Sequence, residues 1–95
     1  MPTILIARDG LVYTPKCLTV DRGTTVRFEG SLAAHPLAPG NPDDRGAGSA
    51  QNPIQETSSG NSVEFTFTTP GTYAYYCVLH SFGAGSGMAG AIFVR

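Results

Sequence analysis

The stretch "TYAYYCVLHSFGAGSGMAGAIFV", residues 72–94, decides how the chain is read. In "TYAYYCV" (72–78), Tyr73, Tyr75 and Cys77 fall at every second position, so on a strand their side chains share one side. "GAIFV" (90–94) reads as another strand. Between the two, Gly83, Gly85 and Gly87 let the backbone bend tightly enough to bring Met88 back toward the first strand's end. Cys77 then stands where strand gives way to loop, with His80 three residues further on.

The same period-two pattern recurs upstream. "TILIA" (3–7), "CLTV" (17–20), "TTVRFEG" (24–30) and "SVEFTFT" (62–68) are short and rich in β-branched and aromatic residues. Val26 and Phe28 face one way, Arg27 and Glu29 the other. Val63, Phe65 and Phe67 alternate with Glu64, Thr66 and Thr68. Turn signals "RDG", "DRG", "SSGN" and "TPG" separate the runs. No segment keeps a helical period over three turns, so an all-β sandwich is expected.

Residues 38–61, "APGNPDDRGAGSAQNPIQETSSGN", break the rhythm. They read as a long irregular loop between two halves of one sandwich, because neither half is large enough to build a core alone. Residues 1–95 are therefore expected to form a single domain. Asp43 and Asp44 face either a partner or, more simply, solvent.

The formal net charge of -1, with 14% charged residues, supplies no basic stripe for nucleic acid and no polybasic membrane anchor. No apolar run is long enough to span a bilayer. "MPTILIARDG" lacks the basic start of a signal peptide, so the chain reads as intracellular or as a mature domain.

Soft donors are scarce in this chain: two cysteines, two histidines and one methionine beyond Met1. Cys77, His80 and Met88 cluster around one loop. His35, in "SLAAHPLAPG", arrives from the segment after "TTVRFEG" and in a sandwich reaches the same end. Two imidazoles, a thiolate and a weak axial thioether form the trigonal set that carries one electron on copper. Each residue alone has a plainer reading. Either histidine is by itself more often structural, and Met88 alone is core filler. Cys77 paired with Cys17 would be an inter-sheet bridge. Against that bridge, Leu18 and Val20 form the inward pair of their strand, which turns Cys17 outward, and no tryptophan is present to pack on a disulfide. Zinc remains compatible on donor count if three ligands leave an open position. Yet no carboxylate accompanies the motif as a general base, and Met88 would then have no purpose. Copper is favoured.

"FTTPGTYAYYCVLH…GMAGAIFV", with "YTPKCLTVDRGTTVRF" and "HPLAPG" upstream, closely resembles the cupredoxins, the small type 1 blue copper proteins, in their plastocyanin/pseudoazurin branch. The resemblance covers nearly the whole chain outside 38–61. It implies a Greek-key β-sandwich of about eight strands with copper at one end. It also implies the ligand set His35, Cys77, His80 and Met88, and a structural tyrosine-corner role for Tyr73. The implied function is that of a non-enzymatic one-electron carrier cycling Cu(II)/Cu(I), in which a monomer meets transient redox partners through an apolar patch around His80. Leu79, Phe82 and Ala84 would belong to that patch, unless Phe82 packs in the core. The family works outside the cytoplasm, which implies an exported, periplasm-like setting.

Two departures carry expectations. Seven residues separate His80 from Met88 where about four are usual in the family, so a weak axial bond is expected. Pro36 follows His35 where the family commonly has asparagine, and proline has no N–H to donate to the copper-bound sulfur. Three readings from other classes stand beside the carrier: a copper-storage protein, a copper-delivery protein, and a metal-free interaction module with a Cys17–Cys77 bridge.

Overall fold

The computed structural model describes residues 1–41, 44–45, 52–81 and 87–95. Alternating burial turns the β-branched and aromatic runs into strands. These are β1 (Thr3–Ile6), β2 (Tyr13–Thr14), β3 (Cys17–Val20), β4 (Thr24–Glu29), β5 (Leu37–Asn41), β6 (Asp44–Arg45), β7 (Ser62–Phe67), β8 (Gly71–Ser81) and β9 (Gly87–Val94). There is no helix among the described residues, and two of the strands, β2 and β6, are two-residue ladders. The order is β2-β1-β4-β7 in one sheet and β3-β9-β8-β5-β6 in the other.

Parallel pairing of β1 with β4 and of β3 with β9, against antiparallel pairing elsewhere, makes this a sandwich and not a simple meander. The expected inward faces meet in one core. Val26, Phe28 and Phe67 from the first sheet lie with Val20, Tyr73, Tyr75, Cys77, Ile92 and Val94 from the second. Within it, Tyr75 takes Tyr13 and Phe28 edge-on, with ring centroids at 4.8 and 5.0 Å. This geometry lets the positive edge of one ring meet the negative face of the next. The Tyr73 hydroxyl donates to the Thr69 carbonyl at 2.6 Å and closes the expected tyrosine corner.

Two segments differ from the sequence reading. Strand begins inside the stretch expected to be irregular: Ala38 and Pro39 pair with Tyr76 and Tyr75, and Gly40 pairs with Arg45. Further along, Ile54 is buried, and Thr57 exchanges backbone hydrogen bonds with Leu37 at 2.9 Å in both directions. Proline and glycine mask the strand because their usual penalties are relieved by its place near the sheet's edge. Of the rest of that stretch, residues 42–43 and 46–51 lie outside the described residues. The other difference is in β8, which runs past Cys77 to Ser81 and pairs there with Gly87.

Sheet geometry brings three chain segments to one end. Because β1 runs parallel to β4, the connection after β1 and the His35 segment after β4 leave the first sheet on the same side. Leu37 pairs with Cys77, so the segment preceding β5 meets the end of β8 there. Gly30 makes the exit from β4 possible. Its φ is +149°, and a Cβ there would stand 2.6 Å from the Ile6 Cβ. Gly30→Ala is expected to destabilise the fold by roughly 2–4 kcal/mol, from overpacking and an unfavourable φ together. Urea unfolding checks this, and an unchanged midpoint would contradict it.

Candidate metal centre

His35 is held by the turn that precedes it. Its N–H donates to the Ser31 carbonyl at 3.0 Å, the Ala34 N–H donates to the Ser31 hydroxyl at 3.2 Å, and Leu32 is fully buried as the anchor. The Val78 N–H then donates to the Pro36 carbonyl at 2.9 Å, tying this turn to β8. Pro36 accepts a backbone bond there and has none to donate.

Cys77 is fully buried on the inward face of β8, as its alternation with Tyr73 and Tyr75 requires. Past Tyr76 the register between β8 and β9 shifts until Ser81 meets Gly87. That irregularity frees residues 77–80 from regular pairing with β9, and His80 lies within it. A perfectly paired ladder would hold alternate side chains on opposite faces and keep Cys77 and His80 apart.

The ligand atoms of His35, Cys77 and His80 all lie within 4.8 Å of one another. The two Nδ1 atoms stand 3.2 Å apart, and the Cys77 Sγ stands 3.4 Å from His80 Nδ1. The imidazole centroids are 4.9 Å apart, with the planes tilted by 45°. Burial first, and the neighbouring His80 second, hold His35 below the usual imidazole pKa. A ring that stays neutral keeps its lone pair for a metal.

The 3.2 and 3.4 Å separations fit a first-row ion. Nitrogen ligands about 2.0–2.1 Å from a metal lie about 3.3 Å apart at a tetrahedral angle, and a thiolate at about 2.3 Å lies about 3.6 Å from either. The donor set of one thiolate and two imidazoles suits copper. Met88, whose side chain was expected to complete it, is fully buried at the start of β9 in the same core cluster as Cys77.

Cys17 is exposed on β3, its neighbours Leu18 and Val20 turned further inward, and no disulfide joins it to Cys77. Phe82, Gly83, Ala84, Gly85 and Asp43 lie outside the described residues, and of Asp44 only its place in β6 is described. Leu79 is 62% exposed beside His80. Two residues that the sequence reading passed over, Leu11 and Val12, are also exposed, on the β1–β2 connection at the same end. Their only sequence signal is an apolar pair directly after the "RDG" turn. The Tyr13 hydroxyl was also missed: it is buried without a hydrogen-bond partner among the described residues. Burial, then Cys77, then Tyr75 push its phenol pKa up.

The model of copper-binding proteins of the plastocyanin/azurin family matches residues 3–95. The chain belongs to that family. It is 33% identical over 90 residues to a plastocyanin of Prochlorothrix hollandica, an alignment covering 88% of this chain and 63% of that protein. It is 32% identical over 90 residues to plastocyanin A/B of Petroselinum crispum, covering 90% of each. The fold matches a purple cupredoxin from Nitrosopumilus maritimus with a TM-score of 0.70 over the whole of both chains, at 21% identity. No helix among the described residues is long and apolar enough to cross a membrane.

The family member is expected to develop an intense visible band on adding Cu(II), because a thiolate ligand gives copper a charge-transfer transition. Cys77→Ser should abolish the band and Cys17→Ser should leave it intact. A spectrophotometric titration of both variants checks this, and bleaching by Cys17→Ser would contradict the assignment.

Proposed function

We infer that residues 1–95 act as a single domain, a type 1 copper electron carrier in which His35, Cys77, His80 and Met88 would hold the ion. The observation that carries this reading is the convergence of the two Nδ1 atoms and the Cys77 sulfur at 3.2 and 3.4 Å. Copper held there supplies one-electron chemistry, alternating between Cu(II) and Cu(I). The chain's own part is to hold the donors still. Cys77 is fixed by the β5–β8 ladder, His35 by the Ser31 turn, and the two are joined through the bond from Val78 to Pro36. Donors that need little movement between oxidation states keep the reorganisation accompanying each electron small.

His80 is partly exposed and next to Leu79, which makes its ring edge the proposed electron exit. Leu79, Leu11 and Val12 give that end an apolar surface on which a redox partner docks briefly, since small interfaces release quickly. Four protein donors leave no open metal position, which supports a carrier over an enzyme. Storage and delivery are disfavoured by the complete burial of Cys77, because an exchanging ion needs reachable donors. The reading places the monomer in an exported, periplasm-like compartment, in keeping with the family resemblance.

Voltammetry of wild type and Met88→Leu tests it. The seven-residue interval between His80 and Met88 would make the thioether a weak donor, so the variant should keep copper and colour while its potential rises. A wild type with no reversible one-electron wave would overturn the carrier, and loss of all copper from Met88→Leu would make Met88 a principal ligand.

A further inference from the structure

The phenol of Tyr75 makes one contact that the metal centre leaves unused. Tyr75 is fully buried, two residues before Cys77 on β8 and in the same core cluster. Its hydroxyl donates to the Lys16 carbonyl at 2.7 Å, across 59 positions of sequence. That carbonyl also accepts the Ala91 N–H at 3.3 Å. Gly90, the partner of Tyr75 in the β8–β9 ladder, keeps the space open. A Cβ at Gly90 would collide with the Lys16 carbonyl and crowd the Tyr75 hydroxyl. Tyr13 and Phe28 hold the ring edge-on in a single orientation. Lys16 and Cys17 are both exposed, where the chain enters β3, two strands across the sheet from β8.

We propose that Tyr75 is a coupling residue: its side chain and its hydrogen bond to the Lys16 carbonyl conduct electrons between Cys77 and a second entry point at the exposed Lys16–Cys17 edge. This rests on the copper-carrier reading. Electronic coupling decays much more slowly along covalent bonds than across empty space, and a short hydrogen bond interrupts it little. The route from Cys77 follows the backbone through Tyr76 to Tyr75, then the ring, one 2.7 Å hydrogen bond and the Lys16 carbonyl. A one-electron donor at the edge is oxidised by one electron and Cu(II) is reduced to Cu(I). Tyr75 is a bridge, neither oxidised nor deprotonated, so no proton moves.

The chain supplies its own attachment point for the test, because Cys17 is exposed and Cys77 is buried. A thiol-reactive ruthenium polypyridyl label on Cys17 of the Cu(II) protein, reduced by flash photolysis with a sacrificial donor, then passes one electron inward. Loss of the visible copper band gives the intramolecular rate. Tyr75→Phe keeps the ring, and the Lys16 carbonyl keeps its bond from Ala91, so the fold survives the change. The expected result is a several-fold slower intramolecular rate. The copper potential and the rate with a freely diffusing small reductant should stay as in wild type. Tyr13→Phe, which removes a hydroxyl with no hydrogen-bond partner among the described residues from the adjacent ring, should leave the intramolecular rate unchanged once any shift in the copper potential is allowed for. An unchanged intramolecular rate in Tyr75→Phe would overturn the proposal, as would a slowing fully explained by a shifted potential. A wild-type protein that takes up no copper would sink the carrier reading, and this route with it, before any rate is measured.

Discussion

The hydrogen bond from the Val78 N–H to the Pro36 carbonyl, 2.9 Å long, joins the residue after His35 to the residue after Cys77. With Leu37 opposite Cys77 in the β5–β8 ladder, it makes the spacing of imidazole and sulfur a property of sheet register. A slip of one residue would send the Cys77 sulfur to the other face of the sheet. Register is guarded by burial on both faces of β8. Tyr73, Tyr75 and Cys77 fill the core on one side, while Tyr76 packs with Ala38, Ala89 and Val78 on the other. A strand buried on both faces has no equivalent position to slip to.

His80 answers to a different constraint. It must turn toward Cys77 only three residues away, which a regular β8–β9 ladder would not allow. The shifted register between Tyr76 and Ser81 supplies that freedom, and the pairing of Ser81 with Gly87 ends it. The loop is thereby anchored at both ends close to the donors. The candidate metal centre combines a half set by sheet register, His35 and Cys77, with a half shaped by a local break in pairing.

Most of the sandwich was legible because half-buried strands have a period of two. Val26 and Phe28 on β4, and Tyr73, Tyr75 and Cys77 on β8, announce their faces without any partner being known. The donors were legible for a chemical reason: soft and imidazole ligands are few in this chain, and their clustering needs an explanation. The strand over Leu37–Asn41 was not legible. "LAPGN" carries turn residues, and only its pairing with Tyr75, Tyr76 and Cys77 makes it strand. The exposure of Leu11 and Val12 and the reach of Tyr75 to Lys16 were hidden as well, because both depend on which segments the fold brings together.

On this reading the chain sets the donor positions in advance and copper enters a prepared site. Crystal structures of the metal-free and the Cu(II) protein test it most directly, through the separation of His35 Nδ1 from His80 Nδ1. The account predicts one copper ion between Cys77, His35 and His80, with that separation within a few tenths of an ångström of 3.2 Å in both forms. Histidines swung apart without metal, or copper bound elsewhere on the chain, would contradict it.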